Sequence, residues 1–508
     1  MTNSRQALAA CVAAAFAAWC GVAPAGATQP AASQSDDQIE VLARGPVHEA
    51  FAGIVSLDPQ PGIVVPMAPP MDIEELPPEF RPQGANVEWI PGYWAWDDDN
   101  KDFFWVSGTW RNLPPGRQWV PGYWNRTARG FQWASGYWAD AQASEIDYLP
   151  EPPESMESGP NVEATSADHT WMPGGWLWQQ NRYVWRPGFW TPAHANWIWT
   201  PANYQWTPQG YIFVDGYWDH AFPRRGLLFA PVRFNQIVDP RRGFSYTPST
   251  VIRIADLASS LFVRPNYGHY YYGDYFAANY ANTGFYPAHS FHSSRRGFDP
   301  IYSHQRWHHR QDSGWEGRVR QYFQTRRDNK DMRPPRTLSA QQELLRNGEA
   351  DAEQGRIFAQ PLEQFRTRQD SPLQFRSLND KDRRGFGQRG REVRGLRELR
   401  QKLESPAEAE EVVRKPRKIQ LPKSTIVGRG PRERDEDPVP PTIQEFPQPD
   451  PRVTPRSRRS EVRSEDPKAE RQPEATRGTS TEGRDSPQKP ESKPESKPES
   501  KPESKPER

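Results

Sequence analysis

Beyond its first 27 residues this chain contains no cysteine, because Cys11 and Cys20 both fall inside that stretch. A mature chain starting after it would have no disulfide, no thiol nucleophile and no Cys-ligated zinc. Long hydrophobic runs are also missing. After the apolar run from Ala7 to Val22, no segment approaches 18 consecutive apolar residues, so no membrane span is expected. That first run has Arg5 ahead of it and the small residues Ala25, Gly26 and Ala27 behind it, which reads as a secretory signal over residues 1–27. A lipobox-like LAAC at residues 8–11 comes before most of the apolar run, so it is badly placed for lipid attachment. The expected location is exported: periplasm, cell surface or extracellular space.

Catalytic signatures are equally scarce. No GxSxG, Walker A, dinucleotide-binding or kinase pattern stands where its chemistry needs it. Neither an enzyme nor a cofactor is expected. The net charge of +1 gives no strong steering either, but it is unevenly spread. Residues 28–218 carry 9 basic and 23 acidic side chains, whereas residues 219–336 carry 18 and 9. Opposite signs on neighbouring segments suggest that the two dock on each other. The Arg- and Tyr-rich chain from Arg224 to Arg336 would also suit nucleic acid or an acidic polysaccharide, but export argues against nucleic acid as a partner.

What the chain does have is tryptophan, 21 residues of it, with 18 between Trp89 and Trp218. They fall into repeats. The first block reads WIPGYW at Trp89, WVSGTW at Trp105, WVPGYW at Trp119 and WASGYW at Trp133, with steps of 16, 14 and 14 residues. The second reads WMPGGW at Trp171, WRPGFW at Trp185, WTPANY at Trp199 and FVDGYW at Phe213, in steps of 14. Trp96 follows Trp94 by two residues, as Trp178 follows Trp176, so one block resembles a copy of the other.

Aromatics alternate just ahead of each motif, as at Phe131 and Trp133 or Tyr183 and Trp185, which is the period of a strand. Turn-like segments such as NRTARG and TPQG separate the units. The dipeptide inside the motif fits either a bulge in a continuous strand or a second tight turn. The bulge is the favoured reading, and it places both tryptophans of a unit on one face. The expected fold is an all-β repeat core of two antiparallel four-stranded meanders, with packing as one sandwich or apart on the linker left open.

The domain map runs as follows: signal 1–27, Pro-rich arm 28–84, first block 85–140, acidic linker 141–168, second block 169–220, aromatic Arg/Tyr-rich extension 221–333 and disordered charged tail 334–508. GPVHEAFAG in the arm is helix-compatible. Trp315, Val319, Tyr322 and Phe323 predict a docking helix over 315–329, and Val393, Leu396, Leu399 and Leu403 one isolated amphipathic helix. KPES repeats from Lys489 to Ser504 carry proline and charge in every unit, which excludes a packed core.

In the Trp, Gly and Trp of each unit, such as Trp119, Gly122 and Trp124, the chain resembles the YXWGXW (WXXGXW) repeat family of exported bacterial proteins. The resemblance covers about 130 of 508 residues, with unit seven departing at Ala202 and Tyr204. RGPVHEAFAG, RGLLFAP and YTPS resemble segments that accompany such repeats. The resemblance implies export and a repeat architecture and carries no activity with it.

The expected function is therefore a non-catalytic structural or adhesive component of the bacterial cell envelope or extracellular matrix, with envelope proteins or polysaccharide as partners. Oligomeric state is left open. The alternative is carbohydrate binding to cell-wall or matrix polysaccharide through exposed rings, for which the candidates are Trp94, Trp96, Trp110, Trp124, Trp138, Trp176, Trp178, Trp190 and Trp218. Burial in the core is the competing and favoured role for these side chains. His289, His292, His304, His308 and His309 are weak metal candidates, with Asp299 or Asp312 as added ligands. DDDNKD at 97–102 offers four carboxylates but lacks the glycine and distal glutamate of a calcium loop, so it reads as a solvated hairpin tip. If the signal reading is right, N-terminal sequencing of the exported protein finds Thr28 first; a start at Cys11 or Met1 would contradict it.

Overall fold

Proline lacks an N–H and glycine tolerates close approach, so a Pro-Gly pair interrupts a ladder without ending the strand direction. The computed structural model describes residues 39–453 except 237–242, 259, 293–296, 349–354, 369–372, 406–415, 421–422 and 431–446, so the signal and the KPES repeats lie outside the described residues. In it each unit forms two short strands around its central dipeptide. Val87–Ile90 and Tyr93–Asp97 flank Pro91-Gly92; Asp102–Val106 and Thr109–Asn112 flank Ser107-Gly108.

The units pair two by two. Tyr93–Asp97 lies antiparallel to Asp102–Val106, and Val87–Ile90 to Thr109–Asn112. Two consecutive units thus make one hairpin with both arms broken at the same level. The pattern recurs at 117–140, 169–192 and 197–220. The core is mostly antiparallel β, as expected, but the four-stranded meanders are replaced by these broken hairpins. In the first hairpin the free edges are taken by chain from beyond the repeats, Gly226–Leu228 on one half and Val232–Phe234 on the other.

The single bulge is corrected in the same way. Because both arms break together, the two halves of a hairpin enter different cores. Trp89 and Trp110 pack with Phe229 and Phe386, whereas Trp94 and Trp105 join Trp124, Trp133 and Tyr267. The two tryptophans of these units therefore do not line one platform.

Cross-strand register brings the first aromatic of each unit opposite the second aromatic of its partner. The eight resulting pairs, from Trp89–Trp110 to Tyr204–Phe213, have ring centroids 5.0–5.4 Å apart, six of them edge-to-face. Each such pair adds roughly 0.5–1.5 kcal/mol beyond the area it buries. The same rings explain the motif glycines. A Cβ on Gly122 would lie 2.6 Å from Cζ2 of Trp133, and one on Gly136 2.6 Å from Cζ2 of Trp119. The ring occupies the place a side chain would need.

Much of the flanking chain packs against this core, including parts read as linker and as tail, whereas residues 454–508 lie outside the described residues. In the arm, Ile39–Val41 pairs with Val232–Phe234, Val64–Val65 with the strand Gly130–Ala134, and Glu74–Glu75 runs parallel to Ser245–Tyr246. GPVHEAFAG forms a tight turn at 49–51 in place of a helix. The acidic linker contributes the strand Glu145–Leu149 between Tyr211–Ile212 and Arg417–Gln420.

The longer helices are α1 (Pro300–His308), α2 (Trp315–Asp328), α3 (Leu338–Arg346) and α4 (Asp380–Glu404). Helix α2 matches expectation, burying Trp315, Val319 and Phe323. Helix α4 is not isolated. It buries Phe386, Gly390, Val393, Leu396, Arg400 and Glu404, a stripe that takes in a buried ion pair and leaves Leu399 exposed.

In the fourth hairpin Ala202 replaces the break glycine, and the residue in the place of the covering tryptophan is Phe213, opposite Tyr204. The smaller ring makes room for the methyl group. Phe213→Trp should therefore destabilise by about 1–3 kcal/mol through overpacking, and adding Ala202→Gly should recover most of that loss. A double-mutant cycle by thermal unfolding reads the coupling; additive effects would show that the two positions do not share space.

Candidate functional site

A paired break takes two backbone N–H groups out of the ladder, from glycine except at Ala202, and where the break is buried each needs an acceptor. In three of the four hairpins a carboxylate provides one. Glu75 accepts from Gly92 N (2.7 Å), Gly108 N (2.9 Å) and Trp105 Nε1 (3.1 Å). Glu49 accepts from Gly122 N (2.8 Å) and Gly136 N (2.9 Å), one on each oxygen. In the third hairpin, Glu157 accepts from Gly174 N and from Trp171 Nε1. Glu49 and Glu75 are buried, and burial pushes both carboxyls up to about 7 against the glycine N–H groups that hold them down.

The carbonyls on the other side of a break are met by α4. Arg400 Nη1 donates to Pro121 O and Ser135 O, both at 2.9 Å, and its Nε donates to Glu404 at 2.9 Å. Glu404 also accepts from the Tyr123 and Tyr148 hydroxyls at 2.8 Å. Arg397 reaches Gly92 O at 3.3 Å and Asp72 at 2.6 Å. Carboxyl groups on the N–H side and guanidinium groups on the carbonyl side thus grip the first block at its breaks. None of these residues was a sequence candidate: the glutamates lie in stretches read as arm or linker, the arginines in the presumed tail. The signal available was the orphaned glycine N–H, which demands an acceptor from somewhere.

Of the nine tryptophan candidates, Trp94, Trp96, Trp110, Trp124, Trp138 and Trp176 are buried, at 0–7% exposure. They are core side chains and present no platform. Trp178, Trp190 and Trp218 are half-buried, all in the second block. Trp190 lines a cleft of about 640 Å³ between the third hairpin and helices α1 and α2. Trp178 and Trp199 line another, of about 930 Å³, that reaches Asp140 and Lys418. Trp218 packs edge-on against His194.

The five histidines do not converge. His289 packs on Phe323, and His292 accepts from Asp299 N through Nδ1. His304 Nε2 meets His194 O at 3.0 Å, and His309 stacks on Trp315 with centroids 5.0 Å apart, next to His308. Burial lowers His292 and His304 to about 4, leaving both neutral. Asp299 caps α1, accepting from Ile301 N and Tyr302 N, and Asp312 pairs with Arg318. Among the described residues no three His, Cys, Asp or Glu side chains are grouped to hold a metal ion.

The loop DDDNKD is not a free tip. Asp97 pairs with Arg233 (2.7 Å), Asp98 with Arg264 (2.6 Å), and Asp99 with Arg44 (2.6 Å) and Arg336 (3.2 Å). Asp219 in the fourth hairpin binds Arg111 of the first and Arg225, with all three side chains at most 3% exposed. The acidic and basic segments dock on each other as their charges suggested.

The glutamate bridges predict a pH signature. A carboxyl raised from 4.5 to about 7 on folding holds its proton more tightly in the native state, so its contribution to stability is full below pH 4.5 and is lost as pH rises to about 7. Glu49→Gln should flatten part of that fall. It should also destabilise by about 1–3 kcal/mol, since the amide NH2 would face a glycine N–H. Thermal midpoints of both proteins across this pH range test it, and parallel curves would count against it.

The family model for the WXXGXW repeat (2 copies) matches residues 88–111, 119–139 and 167–191. No curated protein and no solved structure matches the chain. The matched segments fall on the first three broken hairpins, with their Trp pairs and covered glycines, and over these segments the sequence matches the WXXGXW repeat family.

Proposed function

We propose that this is a non-catalytic structural or adhesive repeat protein, exported to the bacterial cell envelope or extracellular matrix. The observation that carries this reading is the use of the repeat tryptophans. In the first block all nine, from Trp89 to Trp138, are buried, engaged in cross-strand pairs and glycine contacts. A motif repeated for packing builds a scaffold, and its chemistry is met inside the fold. Reciprocal docking of the acidic repeats on the Arg-rich flank supports a robust body with its charges mostly satisfied internally.

The second reading, carbohydrate binding, is favoured by one specific difference between the blocks. The half-exposed rings Trp178, Trp190 and Trp199 of the second block line clefts. The two readings are compatible if one block anchors the fold and the other faces a matrix.

Cell fractionation of the native producer tests the main reading. The protein should stay with the envelope or matrix fraction through low-salt washing. Recovery wholly in the free soluble pool, with none on envelope or matrix, would overturn it.

A further inference from the structure

Resting on the second of those readings, we propose that the cleft between the third hairpin and helices α1 and α2 is a binding site for an uncharged sugar chain. Its volume, about 640 Å³, is that of an ordinary ligand cleft. Trp171 and Trp190 form one wall, and Trp307 and Trp315 come from the helices opposite. Trp190 is half-buried, and its orientation is fixed twice: its ring packs edge-on against Trp171 at 5.4 Å, and its Nε1 donates to Val162 O at 2.9 Å. Trp307 is also half-buried and carries the Arg310 guanidinium 4.7 Å from its ring centre. Held aromatic faces of this kind suit the apolar face of a pyranose.

Charge selects among ligands. The lining arginines and carboxylates balance in number, Arg306, Arg310 and Arg320 with Glu157, Asp312 and Glu316; Arg306 and Arg320 share Glu316, Arg320 at 3.6 Å, and Arg310 pairs with Asp168 at 2.8 Å. Asp312 pairs with Arg318, and Glu157 is engaged by Gly174 N and Trp171 Nε1. A phosphate or uronate would have to compete with these carboxylates for a guanidinium. An uncharged hydroxyl-bearing ligand would not, because a guanidinium–carboxylate pair at a surface still offers a donor and an acceptor side by side, which is what adjacent hydroxyls need. The cleft therefore combines stacking faces with neutral, paired polar groups.

The test uses the full mature chain titrated with cellohexaose and chitohexaose, with polygalacturonate as the anionic comparison, followed by calorimetry and tryptophan fluorescence. Variants are Trp307→Ala and Trp190→Ala, neither of which belongs to a core cluster, with Trp178→Ala in the other cleft as control. Thermal unfolding establishes that each is folded; should Trp190→Ala unfold, Trp307→Ala alone decides. Binding of an uncharged oligosaccharide that weakens about tenfold or more in Trp307→Ala, and by clearly less in Trp178→Ala, is the expected result. Binding lost in Trp178→Ala and kept in Trp307→Ala overturns this site but leaves carbohydrate binding standing. Preference for polygalacturonate overturns the ligand class, and no binding to any of the three overturns both site and reading.

Discussion

A buried N–H that has lost its ladder partner must be met by an acceptor, and in this chain that requirement is sharpest at the breaks of the first two hairpins, where Gly92, Gly108 and Gly122 are buried. In the first two hairpins one carboxylate answers two N–H groups at once, Glu75 for Gly92 and Gly108, Glu49 for Gly122 and Gly136. Both glutamates lie outside the repeats. The flanking chain is consequently drawn into the body to deliver them, and its short strands, from Ile39–Val41 to Glu74–Glu75, follow that path. The carbonyls of Pro121 and Ser135 impose the matching demand for donors, which Arg400 meets from nearly 280 residues away along the chain. A local interruption of the strand thereby organises distant parts of the sequence.

The repeat itself was legible because its spacing is local: strand-like alternation, turns and the antiparallel pairing all follow from residues within one or two units. Helix α2 was legible for the same reason, through Trp315, Val319 and Phe323. The ordered flanks were not. Glu49, Glu75 and Arg400 look like solvated charges when read beside their neighbours, since proline-rich or charged surroundings carry no periodic signal and their partners are far off in sequence. Leu399 shows the converse error: apolar at helical spacing, it sits on the exposed face, while Arg400 turns inward to a site only the hairpins could define. The pairing of breaks was likewise hidden, because a single unit shows one glycine and gives no sign of the second one beside it.

The two blocks share a plan and differ in what they leave uncovered. In the first, helix α4 and the 221–333 segment close over the rings, and exposures fall to a few per cent. In the second, Trp178, Trp190, Trp199 and Trp206 stay partly open, and Glu157 in the third hairpin is itself half-buried. The duplicated unit thus provides both an interior and a surface, according to whether the flank reaches it.

Pairing of units two by two also constrains how such a protein can grow or shrink. A lone extra unit would have no opposite arm for its tryptophan and no second glycine for its break, so the array can change length only in even steps. An added hairpin buried like the first two would bring a pair of N–H groups and need a carboxylate from outside the repeat; one left partly open, as at Ala202 and Gly216 of the fourth, would not. How many hairpins can be buried is therefore tied to the flanks, which supply the acceptors.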